Sequence, residues 1–371
     1  MFLENFYLWF ICLVLVYFIF LFGYLQLSDK NDKINNFIAF GALYFVFLHI
    51  LAFLLLMYQS AYLRSVVLEN WLIVLCLPII GFGIIVILST FLIILYRLFF
   101  RKKDFKEVEK KWRKKMNEMN KAKRDTYRKI SHVIIFIVLF ILWAVGYNYV
   151  TKSTQSWAGM IPNKNNMLEL YLNIISEPES IRTSLYALGW FYYLIFFFFY
   201  ILCLFMLINE LTRKSKYFAF PFNFLPKMVM SEEEIESYGT YLYFFIGQMF
   251  ASFLCPPMVY FAILGMSGIA DLTTSQVGIR WGKHRIKWNK KKTWEGNIAG
   301  TIVAFIICFP FIGIIWSIIF AIAFQSFDLF TDQPFKISDN LLIPIGCAII
   351  FILIRYYLDL DYYALVYQFF S

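Results

Sequence analysis

The sequence predicts an all-α fold, a polytopic integral membrane helical bundle of about eight spans. Of its 371 residues, 61% are hydrophobic and 21% aromatic, far above the apolar content of an ordinary soluble domain. These residues gather into runs that reach the roughly 20 helical residues needed to cross a hydrocarbon core. Charge is placed just as unevenly. Lys and Arg number 34 against 24 Asp and Glu, and the excess collects in short segments between apolar runs, as expected of loops held on the cytoplasmic side.

Runs near 5–26, 36–58 and 71–99 make up an N-terminal region, 1–100, with few charges. The first run lacks a basic leader and a small-residue cleavage site, so it is expected to be a retained span. Segment 101–131 follows, with fourteen Lys/Arg against five acids. In it Phe105, Val108, Trp112, Met116 and Met119 recur at spacings of three and four, which predicts a basic amphipathic helix lying on lipid headgroups. The remainder, 132–371, carries runs near 132–150, 184–209, 239–270, 297–324 and 341–354. Segment 151–183 between the first two of these holds no chemical motif.

Two of these runs contain breaks. Pro256-Pro257 interrupts 239–270 and Pro310 interrupts 297–324. A proline frees backbone groups that neighbouring helices can satisfy, so either run is a kinked span or a pair of short helices. The charges favour the broken reading of the first. Segments 101–131 and 271–296 should both face the cytoplasm, which requires 239–270 to pass twice or to turn back at Pro256-Pro257. The stretch after Arg355 carries Asp359 and Asp361 and is expected at the interface. All six cysteines lie within apolar runs without a C-x-x-C pair or a Cys/His cluster, which argues for small buried hydrophobes and against zinc or disulfides.

Chemistry concentrates in Asp271 to Gly296, DLTTSQVGIRWGKHRIKWNKKKTWEG, with seven Lys/Arg and two acids between apolar runs. Such a loop meets headgroups, phosphates or both. Phosphoryl transfer to an alcohol needs a divalent ion, cations on the phosphate oxygens and a proton acceptor. Asp271 and Glu295 bracket the segment as magnesium ligands or bases. Gly278 and Gly282 would let backbone approach phosphates, and Lys291, Lys292 and Thr293 supply two cations and a hydroxyl. The spacing is not that of a Walker A loop, because three residues separate the glycines and His284 follows Lys283. Glycines four apart also serve helix packing in membranes. A basic connector without chemistry is therefore the plainer alternative.

The order Asp271-x-x-Thr274-x-x-x-Gly278-x-x-x-Gly282, eight residues, then Lys291-Lys292-Thr293-x-Glu295-Gly296 resembles the CTP-binding signature of dolichol kinases. Thr274 stands where that family usually has Ala. Arg128-Lys129-Ile130-Ser131-His132 is similar to the R-K-x-x-H that opens the core of the wider polyprenol, phytol and diacylglycerol kinase group. Glu210-Leu211-x-Arg213 with Gly239-Thr240-Tyr241, and Asp339-Asn340-Leu341-Leu342-Ile343-Pro344, resemble further stretches of it. The likeness covers about 125–350.

The resemblance implies that 132–371 is a catalytic domain using CTP as phosphoryl donor, Mg2+ as cofactor and a polyisoprenoid alcohol as acceptor. Asp271, Lys292 and Glu295 would be catalytic. Thr274, Gly278, Gly282, Lys283, Lys291, Lys292, Thr293 and Gly296 would bind the nucleotide. Asp271, Glu295 and Asp339 would hold the metal, with Arg128, Lys129, His132, Glu210, Arg213 and Asn340 as further candidates. A diacylglycerol or phytol kinase shares the loop. Phosphatidate cytidylyltransferases share Lys292-Thr293-Trp294-Glu295-Gly296, but this chain lacks their H-G-G element. A lipid-binding scaffold or transporter is the alternative without catalysis. Expected partners are CTP, the alcohol and membrane lipids, not nucleic acid, and oligomeric state is left open. The expected location is the endoplasmic reticulum membrane in a eukaryote or the plasma membrane in a prokaryote, with the 271–296 loop cytoplasmic.

Overall fold

The computed structural model describes residues 33–59, 118–152 and 238–369 apart from 332, 334 and 335, with isolated positions at 111–115 and 195–210. The expected spans 5–26 and 71–99, most of 101–117 and of 184–209, and Arg213 lie outside the described residues. The chain divides into two compact units, 1–118 with 197–246 and 119–196 with 247–371. Helix α1 (Lys33–Gln59) belongs to the first, and helix α2 (Lys121–Lys152) to the second. Helix α3 (Thr240–Leu254) begins in the first unit and ends in the second. Then come α4 (Pro257–Gly265), a π-helical turn (Met266–Ala270), α5 (Asp271–Trp281), α6 (Trp294–Phe330), α7 (Asp339–Leu358) and a 3-10 turn (Leu365–Phe369). Among the described residues there is no strand, and four helices are long and apolar enough to cross a membrane. This is a helical membrane protein.

Helix α3 stops at Leu254 and α4 starts at Pro257, with Pro256 extended at φ −60° and ψ 158°. Pro257 then occupies a first-turn position, where its missing N–H costs nothing. The 239–270 run is thus two helices, as the prolines suggested. The second does not end at residue 270. It continues through the π turn into α5, so residues 271–281 of the expected loop are helical and the loop itself is 282–293. Residues 121–131, also expected in a loop, form the first turns of α2. Asn120 starts that helix by accepting the Ala122 N–H at 3.2 Å.

The break in 297–324 is displaced from Pro310 to Gly313, at φ 78° and ψ 175°. That backbone conformation is open to glycine and strained for other residues. The chain reverses there. Asn297 donates to Asp328 at 2.7 Å, whereas a straight helix would hold two residues 31 positions apart at about 46 Å. Helix α6 is therefore a hairpin with arms 294–312 and 314–330, about 28 and 25 Å long. The C-terminal segment closes the turned end. The Tyr363 carbonyl lies against Gly313, Trp316 donates to the Asp361 carbonyl at 3.1 Å, and Tyr367 packs on Trp143 and Tyr147. The expected interfacial stretch after Arg355 is partly folded back in this way.

Packing along the second unit follows from residue size. Phe136, Phe140, Trp143, Phe261 and Phe311 form an aromatic cluster joining α2, α4 and the first arm of α6. Outward, α2 presents Ile134, Ile137, Ile141 and Val145, while the α6 arms present Ile298, Ile302, Ile306, Ile318 and Ile322. Apolar faces of this kind on helices of spanning length are lipid-facing faces. Gln276 on α5 donates to the Ala122 carbonyl at 3.0 Å and to Asp125 at 3.3 Å. The start of α2 and the 282–293 loop therefore share one end of the bundle. Single cysteines at the exposed positions Lys123 and Lys290, in a cysteine-free background, should react with a membrane-impermeant thiol reagent from the same face. Labelling from opposite faces would contradict this arrangement.

Candidate functional site

At that end of the second unit, residues from five segments meet. Lys129, two turns into α2, donates from Nζ to the Asp271 carboxylate at 2.8 Å and to the Asp271 carbonyl at 3.4 Å. Asp271 is 4% exposed and directly follows the π turn, a distortion frequent at functional sites. In that turn Gly268 lies against the His132 backbone, where a side chain would crowd it. His132 is buried within reach of the Lys129, Asp339 and Arg128 charges. Asp339 opens α7 and accepts the Asn340 N–H at 2.9 Å. An acid suits a helix start, where unpaired N–H groups carry partial positive charge.

The second cation is Lys292. Its Nζ donates to Asp328 at 2.7 Å and to the Thr331 hydroxyl at 2.6 Å, and lies 3.9 Å from Asp339. Asp328 is 1% exposed and also accepts from Asn297, itself fully buried, at 2.7 Å. The result is a run of alternating charge: Asp271 with Lys129, then Asp339, then Lys292 with Asp328. The charges of Asp271 and Asp339 act on each other and on both lysines. Buried charges in a helical membrane bundle are costly and mark functional sites by default.

The hairpin at Gly313 returns Asp328 to Lys292, 36 residues earlier. Asp328 is not among the residues the sequence singles out, because it lies just past the expected apolar run 297–324. Nor are Asn297, Thr331 and Asn289. Asn289 is fully buried and fastens the loop by donating to the Thr331 carbonyl at 2.6 Å.

Other expected site residues are engaged elsewhere. Glu295 accepts the His284 N–H at 3.1 Å and lies 2.6 Å from the His284 ring, closing the loop on itself. Thr293 is the N-cap of α6 and accepts the Gly296 N–H at 3.2 Å. Lys283 and Lys291 point outward, exposed. In the first unit Glu210 is fully buried and accepts from Tyr241 and from the Gly239 N–H.

The glycines expected at the nucleotide have a packing role. Ala270, Thr274, Gly278 and Gly282 recur every four residues, as do Gly296, Gly300, Ala304 and Cys308 on α6. A Cβ on Gly296 would meet the Thr274 carbonyl and the Gly278 backbone, and one on Gly300 would collide with the Thr274 hydroxyl. Matched small residues let helix backbones approach closely. Gly300→Ala should therefore cost about 1–3 kcal/mol by overpacking. Adding Thr274→Ala should recover part of that loss in a denaturation double-mutant cycle, and strict additivity would contradict the contact.

Among the described residues no group of three or more His, Cys, Asp or Glu gathers as a metal site. Asp271 and Asp339 nevertheless offer hard oxygen donors close together, and magnesium is commonly bound by one or two carboxylates completed by phosphate oxygens. The donor chemistry of the two carboxylates is of the kind that ion takes. Comparison with protein-family models, with curated proteins and with solved structures finds no match to this chain.

Proposed function

We propose that this chain is a CTP-dependent lipid kinase that phosphorylates the hydroxyl of a polyisoprenoid alcohol such as dolichol. The observation that supports it is convergence. Lys129, Asp271, Lys292 and Asp339 come from three sequence segments that resemble the polyprenol kinase group, and their side chains form one partly buried cluster around the buried Asp271. In this reading Asp271 and Asp339 would hold Mg2+, which would supply charge neutralisation at the phosphates. Lys292 and Lys129 face the phosphate oxygens. The alcohol oxygen bonds to the γ-phosphorus as the bond to the β–γ bridging oxygen breaks, leaving CDP. The hydroxyl proton passes to a carboxylate of the cluster. The span number of about eight, the cytoplasmic placement of the loop and the membrane of residence belong to the same proposal.

The test is an assay of the full chain, purified in detergent and lipid, with γ-labelled CTP and Mg2+ against polyisoprenoid alcohols, diacylglycerol and phytol. Label should enter a polyisoprenyl monophosphate. Transfer to diacylglycerol or phytol would reassign the acceptor. With phosphatidate offered as acceptor, release of labelled pyrophosphate and formation of a cytidine-diphosphate lipid would replace the kinase with a cytidylyltransferase, and neither labelled lipid nor labelled pyrophosphate would leave a membrane scaffold.

A further inference from the structure

The seven cations of the 271–296 segment divide into two sets. Lys292 turns inward to Asp328. Arg280, Lys283, Arg285, Lys287, Lys290 and Lys291 are all exposed, and Arg280 to Thr293 contains no acid. Among these six stand exposed tryptophans, with Trp281 at 64%, Trp288 at 44% and Trp294 at 36%. We infer that this loop is a docking surface for anionic lipid headgroups, independent of the kinase reading.

Its position carries the first part of the argument. Trp281 ends one helix of spanning length and Trp294 begins the next, so the loop lies where such helices leave the bilayer. It is also folded down onto the bundle. Ile286 and Asn289 are fully buried. Trp288 donates to the Leu329 carbonyl at 3.3 Å, packs edge-on to Trp294 and stacks on Phe330, which is itself exposed. Amphipathic aromatic rings at the headgroup level beside exposed positive charge match an anionic leaflet in both polarity and charge.

The loop backbone carries the second part. A phosphate cradle needs free N–H groups, and several of the loop's are used within the fold. His284 N–H donates to Glu295, Ile286 N–H to Lys292 O, Asn289 N–H to Ile286 O, Lys292 N–H to Asn289 O and Trp294 N–H to His284 O. What the loop offers outward is side-chain charge fanned over a surface, suited to several headgroups.

The experiment reads tryptophan fluorescence of the full chain in phosphatidylcholine vesicles containing phosphatidylglycerol, with brominated acyl chains on one lipid or the other. Brominated phosphatidylglycerol should quench more than brominated phosphatidylcholine at equal mole fraction. In Lys283→Gln/Lys287→Gln/Lys290→Gln the preference for anionic lipid should fall on the order of 100-fold. Trp281→Phe should remove a large share of the excess quenching, which places it at this loop. Equal quenching by the two lipids, or an excess unchanged in the triple variant, would overturn the inference. So would an excess abolished by Mg2+ and CTP but kept with Mg2+ alone at the same ionic strength, since the surface would then hold nucleotide. Should the triple variant fail to reconstitute, the wild-type protein answers alone. Its excess must shrink as salt is raised, and a salt-independent excess overturns the inference.

Discussion

Lys292→Ala should both unfold the chain more easily and abolish label transfer from CTP, and the two effects should separate in a second variant. Removing Lys292 leaves Asp328 buried at 1% exposure without its cation, and breaking a buried ion pair from one side costs about 3–5 kcal/mol. Asp328→Asn added to Lys292→Ala removes the stranded charge, keeps a side chain able to accept from Asn297, and should restore most of the stability. Activity should not return. Loss of one cation beside developing phosphate charge in a dry site lowers turnover by about 100- to 1,000-fold, and no other change in the double variant replaces it. Thermal unfolding in detergent and the labelled-CTP assay read the two effects on the same preparations. Recovery of activity together with stability would make Lys292 a structural partner of Asp328 alone.

The sequence exposed more of this architecture than of its chemistry, and particular residues show why. The helical class and the break at Pro256-Pro257 were readable because hydropathy and proline act locally. The reversal of α6 was misplaced because Pro310 is the stronger breaking signal. Proline removes one helical hydrogen bond, yet the helix runs on to Gly313, where positive φ permits the turn. Ending the apolar run at residue 324 put Asp328 outside the expected span and hid it. Once the arms are known to pair, an acid there must find a cation.

Glu295 and the glycines were expected at a metal and a nucleotide, and their partners within the fold, set by tertiary structure, were not legible from spacing. Glu295 closes a loop onto His284, eleven residues earlier. Gly278 meets Gly296 because α5 and α6 each carry a small residue every fourth position. That matching stripe on α6 was present in the sequence, and it favours packing as the cause of the four-residue spacing.

Asp271→Asn should leave the chain folded and inserted while removing most activity, whereas Lys129→Met should damage folding first. The asymmetry follows from what each change strands. The amide that replaces the Asp271 carboxylate would keep the size of the side chain and an oxygen to accept from Lys129, whose side chain retains 21% exposure, the carbonyl of residue 271 at 3.4 Å and the nearby Asp339 charge. Lys129→Met instead leaves a carboxylate at 4% residue exposure without the partner that it pairs with at 2.8 Å, the costly direction for a buried pair. If Asp271 holds the metal, its loss weakens magnesium binding, so residual activity should be about 100- to 1,000-fold lower, the scale of losing one charge-stabilising group, and should need more magnesium. Asp339→Asn should show the same sign with a smaller effect, because Asn340 N–H bonding survives the change. Magnesium titrations of the parent and both variants, run beside thermal unfolding, decide the matter. An Asp271→Asn protein with the parent rate and magnesium dependence would reduce the Lys129–Asp271 pair to a joint between α2 and α5 and would move the search for the ion to Asp328 and Asp339.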